Sequence, residues 1–191
     1  MSDDLPEFRW GSVLATSFTG TLTERCGTPV ERLPTAGRLQ DWLREAHLRV
    51  DACTSEDLSR AVALREAIHL AATAHALGRS LPPDAVSLIN HHSAEGTAVT
   101  ELSVEGHRRW HLGEPATLTS ALGVVAADAI DILAGVRAGK VALCASATCR
   151  AAFFDTSRSG TRRWCDMNTC GNHEKKARLK ARRAQASSPR R

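Results

Sequence analysis

Cys144, Cys149, Cys165 and Cys170 follow one another as C-x4-C-x15-C-x4-C within a chain of 191 residues that holds six cysteines in all. Two close pairs joined by a longer loop suit a tetrahedral metal site. Each pair wraps one side of an ion in a tight knuckle, and the intervening segment returns the chain to the other side. Four thiolates match zinc by softness and close its coordination sphere, so the predicted role is one structural Zn2+ ion with no open position for substrate or activated water. Four buried free thiols, or the ligands of an iron–sulfur cluster, are the alternatives. The repeated x4 spacing beside basic residues, which lower thiol pKa, disfavours the first. Cys26 and Cys53 stand outside the pattern and are expected to be small buried hydrophobes.

Charge gathers at the same end. From Val141 to Arg191 there are 12 Lys/Arg against 3 Asp/Glu, a formal +9; residues 1–140 carry 13 against 18, or −5, and the two make the chain's +4. A basic end on an acidic body is expected where that end meets a polyanion. In "KKARLKARR" Lys176, Lys180 and Arg183 share one helical face and Lys175, Arg178 and Arg182 the next, with Leu179 as the expected apolar anchor toward the metal core. Neutralising phosphates with counterion release would compensate such self-repulsion. Arg158, Arg162 and Arg163, between the knuckles, extend the surface. For reading bases, rather than gripping phosphates, Arg162, Arg163, Asn172 and His173 carry the directional donors and acceptors. Phe153 and Trp164 could stack on exposed bases, but aromatics flanking a knuckle more often form its core. The bland alternative is a solvated tail that aids solubility.

The elements that must position these residues follow from periodicity. "VLATSFTGTL" reads as a short strand or helix start and "CGTPVERLPTAG" as a loop. Leu39, Trp42, Leu43 and Ala46 fall on one face of a short helix. Thr54 and Asp57 make a capping-box start, and Gly78 a stop, for a helix whose inner face is Leu64, Ile68, Ala71, Ala72 and His75. Pro82 and Pro83 admit another over "DAVSLIN". "TAVTELSVEGHRRWHLG" alternates as a β-hairpin turning at Glu105–Gly106. Leu118 to Val136 returns to helical spacing, with Asp128 and Asp131 facing solvent and Gly139 closing the element. "VALC" and "CRAAFFD" read as two short strands around the first knuckle, and the run from Cys170 as a helix. Residues 140–191 hold few apolar side chains, so metal and fold are expected to be inseparable there.

The fold class is therefore mainly α with a small β-hairpin (α+β) in an N-terminal domain, residues 1–139. A small zinc-ribbon-like finger ending in a basic helix follows at 140–185, then a disordered tail at 186–191. No apolar run is long enough to cross a bilayer, and the acidic start "MSDDLPEFRW" is unlike a secretory signal, so a cytoplasmic protein without a membrane partner is expected.

At the cysteines the chain resembles the CGNR zinc-finger family. The motif stands here as "CGNH", Cys170 to His173, after "DTSRSGTRRWC", which resembles that family's "DxSRNxxRRWC". Ser159 replaces its asparagine and His173 its arginine, removing one fixed positive charge. Residues 10–139 are similar to the ABATE domain that usually precedes such a finger, most clearly over "LPTAGRLQDWLREAHL" and "AVALREAIHLAATAHALGRSLPPDAVSLIN". The early "DFxNT" element of that domain appears only as "SFTGT" around Phe18. The resemblance implies a bacterial transcription regulator whose finger binds double-stranded DNA. It leaves room for a small-molecule effector in the N-terminal domain and for a homodimer, and it names neither operator nor effector.

Two other function classes compete. Zinc modules of this size also bind RNA or dock on proteins, and an enzyme could carry a zinc-stabilised appendage. His91, His92, His107 and His111 invite the last reading, but no P-loop, dinucleotide fingerprint, HExxH or GxSxG is present. No catalytic residue is assigned, and the expectation is that the protein is not an enzyme.

Overall fold

The computed structural model describes residues 5–186. Six helices and three two-stranded antiparallel hairpins make up these residues, an α+β architecture. A short helix α1 (Leu14–Thr19) leads into a hairpin of β1 (Leu22–Thr23) and β2 (Val30–Glu31). Helices α2 (Ala36–Glu45), α3 (Ser55–Ala76) and α4 (Pro83–Glu95) follow. The hairpin β3 (Val99–Leu102) and β4 (Arg108–His111) separates them from α5 (Leu118–Leu133). The C-terminal segment consists of the hairpin β5 (Lys140–Leu143) and β6 (Ala152–Asp155), a wide π-type turn at Met167–Gly171, and α6 (Asn172–Ala186).

Local signals placed most of these. Thr54 accepts the Asp57 N–H while the Asp57 carboxylate accepts the Thr54 N–H, the reciprocal box that starts α3. Past the other end Gly78 takes φ 65°, the left-handed conformation that stops helices. Pro83 opens α4, where its missing N–H costs nothing. Gly106, at φ 79°, turns the β3–β4 hairpin at the expected position.

The main core is one cluster. Phe18, Leu39, Trp42, Leu43, Leu64, Ile68, Leu122 and Val125 are fully or almost fully buried at its centre. Helices α3, α4 and α5 pack on one another around it. The crossing of α5 by the chain leaving α4 is close: a β-carbon on Gly96 would sit 2.7 Å from the Gly123 Cα, and one on Gly123 2.6 Å from the Gly96 Cα. Only glycine at both positions permits that approach.

Val141, Ala152 and Phe154 belong to this same core. Strand β5 lies on α3 and α5, and β6 on α1 and α3. The apolar side chains that are too few to fold the C-terminal segment alone are therefore buried against the helical body. A second seam reinforces the join: the Arg25 and Cys26 N–H groups donate to the Cys149 and Thr148 carbonyls, and the Thr148 hydroxyl donates to Glu24 at 2.6 Å.

Five sequence expectations are corrected. Asp128 is buried, not solvated: one oxygen accepts the Ala15 N–H at 2.7 Å at the start of α1, and the other meets Arg137 at 2.5 Å. Burial raises its pKa, against the pull of those partners. His75 is exposed, because the buried face of α3 turns through Ala74 instead. Helix α5 ends at Leu133 and Val136 is exposed, since Gly135 at φ 72° breaks the helix before Gly139. Cys26 is exposed and Cys53 only half-buried, so neither fills the core. Leu179 is 50% exposed, because α6 packs mainly on the wide turn before it. Residues 187–191, where the tail was expected, lie outside the described residues, while Ala186 closes α6.

Buried charge ties the β1–β2 hairpin to α3. Arg65 forms a two-pronged pair with Glu31 at 2.7 and 2.8 Å and a further bond to Glu66 at 2.8 Å, and Arg25 meets Glu66 at 2.6 Å. Arg25 also belongs to the seam with the first knuckle, so this network stands behind the metal-site loop.

Candidate metal centre and nucleic-acid interface

The first knuckle is held by its own hairpin. The Cys144 N–H donates to the Ala151 carbonyl at 2.9 Å, and Arg150 adopts φ 50° to turn the chain back into β6. The second is tied to it by the Ala145 N–H, which donates to the Arg163 carbonyl at 2.8 Å. Asp166 then caps the wide turn, its side chain accepting the Asn168 and Thr169 N–H groups, and the turn presents Cys170.

These supports bring four sulfurs together. The Sγ atoms of Cys144, Cys149, Cys165 and Cys170 all lie within 4.8 Å of one another, and three of the four residues are buried. Cys149 and Cys165, and Cys165 and Cys170, stand 3.7 Å apart. That is far beyond a disulfide bond. A tetrahedral ion with Zn–S near 2.3 Å demands sulfur–sulfur edges of about 3.8 Å, so the donor set fits one structural zinc ion.

The electrostatics point the same way. Hydrogen bonds from Cys144 and Cys165 pull the Cys149 thiol far below the ordinary range, while bonds with Cys144 and Cys149 push Cys165 far above it. Burial pushes Cys170 up to about 12. One thiolate in this nest suppresses ionisation of the others. A divalent cation removes the conflict and allows all four to ionise. Around the sulfurs the packing is thin, with Ala151 buried among them and Trp164 partly so.

The loop between the knuckles is pinned by Asp155, whose two oxygens accept the Ser157 N–H at 2.8 Å and the Arg162 N–H at 2.9 Å. The Ser157 side chain first, and then those two N–H bonds, hold its carboxyl below the usual carboxylate range. Arg162 does more than line a surface. Its Nε donates to the Trp164 carbonyl at 2.8 Å, its Nη2 donates to the Cys165 carbonyl, and its guanidinium lies 5.2 Å from the Phe153 ring centre. This side chain clamps the second knuckle.

The other cations stand outward. Arg158 and Arg163 are exposed, with the Arg163 guanidinium 5.0 Å from the Trp164 ring centre. Asn172, His173, Lys175, Lys176, Lys180 and Arg182 are exposed at the start and along α6. The side chains of Arg178 and Arg183 lie outside the described residues. Trp164, half-buried, packs against the sulfur cluster, whereas Phe153 is buried outside that cluster, beneath the Arg162 guanidinium. The clamping role of Arg162 was not legible in sequence, although its place one residue before the arginine–tryptophan–cysteine run was the available signal.

The histidines considered for catalysis do not form a constellation. His91 and His92 lie on α4, where His91 meets Glu95 at 3.2 Å and His92 is buried with its Nδ1 unpartnered. His107 and His111 lie in the β3–β4 hairpin, His111 being 3.8 Å from Glu101. Among the described residues no helix is long and apolar enough to cross a membrane.

Comparison with known proteins finds two family models along the chain. A family model described as "ABATE: Putative stress-induced transcription regulator" matches residues 12–136. A second, the CGNR zinc finger, matches residues 140–183 and takes in all four cysteines. Neither is an enzymatic family. No curated protein matches the chain.

Proposed function

The chain belongs to the ABATE family and carries a CGNR zinc finger, and from that premise we propose that it is a zinc-dependent DNA-binding transcription regulator. The observation that carries the reading is the fusion of a closed four-sulfur site to an exposed cationic helix. A closed site has no room for substrate, so its task is to shape the chain around it. What it shapes is α6 and the loop bearing Arg158 and Arg163.

Lys175, Lys176, Lys180 and Arg182, with Arg178 and Arg183, would grip phosphates and position the finger. Arg163, Asn172 and His173 would face base edges. Arg162 contributes by holding the second knuckle rather than by reading a base. His173, where related fingers have arginine, can accept as well as donate a hydrogen bond when neutral, which would shift that position away from the arginine preference for guanine. The helical body would serve as the sensing or assembly part. The protein works as a regulator without catalysis of its own.

The test is fluorescence anisotropy with the zinc-loaded chain on duplex DNA and single-stranded RNA of equal length across a salt series. Duplex preference is expected, with log affinity falling against log salt by about 0.9 for each phosphate neutralised. Lys176→Ala with Arg183→Ala should weaken all duplexes alike, whereas Arg163→Ala should change the ranking among them. Equal or tighter binding to RNA would refute the DNA reading, and a uniform effect of Arg163→Ala would remove it as a base reader.

A further inference from the structure

The body carries a cleft whose lining shares no residue with the metal site. It lies between the end of α2 and the β3–β4 hairpin, and His47 and Trp110 are shared by its two lobes. One lobe, of about 570 Å³, is lined by Ala46, His47, His107, Arg108, Arg109 and Trp110. No carboxylate lines it. The other, of about 550 Å³, continues past Arg49, Asp51, His111 and Glu114. Each lobe is of the size that holds a small molecule.

Three features make this a built recess rather than a gap under a loop. The Arg108 guanidinium lies 4.6 Å from the Trp110 ring centre, so a cation and an aromatic face are held together on one side of the hairpin. Their positions follow from the register, since Leu102 pairs with Arg108 and Thr100 with Trp110. Arg109 is shared with Glu105 at 3.6 Å, but neither Arg108 nor Arg49 meets a carboxylate within 4.0 Å among the described residues. Finally, His47 terminates α2 at φ 59°, its N–H donating to the Arg44 carbonyl while that of Leu48 donates to the Leu43 carbonyl. Glycine fills that helix-ending position without strain. Here an imidazole occupies it and lines both lobes.

We infer that this cleft binds a small anion with a planar ring, its carboxylate or phosphate met by the Arg108 guanidinium and its ring lying along Trp110. Guanidinium groups recognise such anions with paired donors, and the indole supplies a flat apolar wall. A small ligand suits the site better than a nucleic acid. Glu101 and Glu105 stand on the same hairpin, Asp51 and Glu114 line the adjoining lobe, and residues 1–140 are net acidic at −5. An extended phosphate backbone would meet those carboxylates, whereas a compact anion meets only the basic centre. The inference rests on the reading of the helical body as the sensing part of a regulator and supplies its ligand class.

Isothermal titration of the zinc-loaded full chain with benzoate and with adenosine 5′-monophosphate distinguishes the two sources of the anion. Benzamide and adenosine serve as neutral counterparts. At least one anion should bind, ten-fold or more tighter than its neutral counterpart. Arg108→Ala should weaken it a further ten-fold, Arg108→Lys should recover part of the loss, and Trp110→Leu should weaken both the anion and its neutral counterpart. Far-UV circular dichroism checks each variant's fold. Should a variant misfold, displacement of the Trp110 indole N–H resonance of the wild-type chain during titration decides instead.

Failure of both anions to bind at millimolar concentration overturns the inference, as does equal affinity for charged and neutral ligands. Competition by duplex DNA, with Arg108→Ala weakening the duplex as much as the anion, overturns it in favour of an extended nucleic-acid surface. Salt-dependent duplex binding is measured on the same samples. Its persistence without anion binding defeats this inference alone; its absence beside anion binding defeats the proposed function and leaves the cleft standing.

Discussion

Removal of the metal should unravel the knuckles and leave the β5–β6 hairpin in place. The knuckles, Cys144 to Cys149 and Arg163 to Gly171, comprise roughly fifteen residues, and fixing each backbone costs about 1–2 kcal/mol. Against this, the described packing around the sulfurs offers Ala151 and part of Trp164. A fully buried large side chain contributes only about 1.5–3 kcal/mol. The deficit is of the order that a structural zinc ion supplies in small modules, about 10–16 kcal/mol. The hairpin is held otherwise, because Val141 and Phe154, both 2% exposed, sit in the body's core. Hydrogen exchange read by mass spectrometry, before and after chelation or in Cys165→Ser, separates the two regions. The amides of Cys144, Ala145 and Gly171, which bond to Ala151, Arg163 and Asp166, should lose protection. Those of the β5–β6 ladder and of α3 and α5 should keep it. Loss of the hairpin together with the knuckles would refute the shared core, and knuckles that stay protected without metal would refute its structural role.

Three further outcomes test the body. Glu31→Ala should cost about 2–4 kcal/mol in urea unfolding, because it removes the two-pronged partner of Arg65, whose side chain is 3% exposed, and leaves that guanidinium Glu66 as its one carboxylate; Glu31→Gln, which keeps an acceptor, should cost less. Gly123→Ala should destabilise by about 1–3 kcal/mol through the collision with Gly96, seen as a lowered Tm, and an unchanged Tm would contradict the close crossing. Burial raises the Asp128 pKa, so its favourable contribution is complete below the ordinary aspartate value near pH 4 and is lost as pH rises through the folded value. Asp128→Asn should therefore flatten the wild-type decline in stability above about pH 4, measured by urea midpoints from pH 3.5 to 7.

The metal centre was the most legible part of the chain, because the spacing of Cys144, Cys149, Cys165 and Cys170 is itself the geometric requirement. Helix α3 was nearly as clear: Thr54, Asp57 and Gly78 act on neighbours within four residues, so the signals that start and stop it are local. What escaped depended on contacts that periodicity and spacing do not encode. Asp128 looks solvent-facing on a helical wheel, and only its partner Ala15, 113 positions away, makes it a buried acceptor. Arg162 reads as one more cation in a basic stretch until its guanidinium is seen on the carbonyls of Trp164 and Cys165. The division of the apolar residues misled in the same way, since Phe154 lies beside the cysteines in sequence but fills the helical core in space.

The seam between residues 24–27 and the first knuckle limits how such chains can be recombined. With Gly27 so close that a β-carbon would stand 3.0 Å from the Thr148 Cβ, a finger cut at Gly139 and grafted onto another body would meet a mismatched counterface. A working chimera would have to transplant the turn around Arg25 along with the cysteines, because the two segments are shaped to each other.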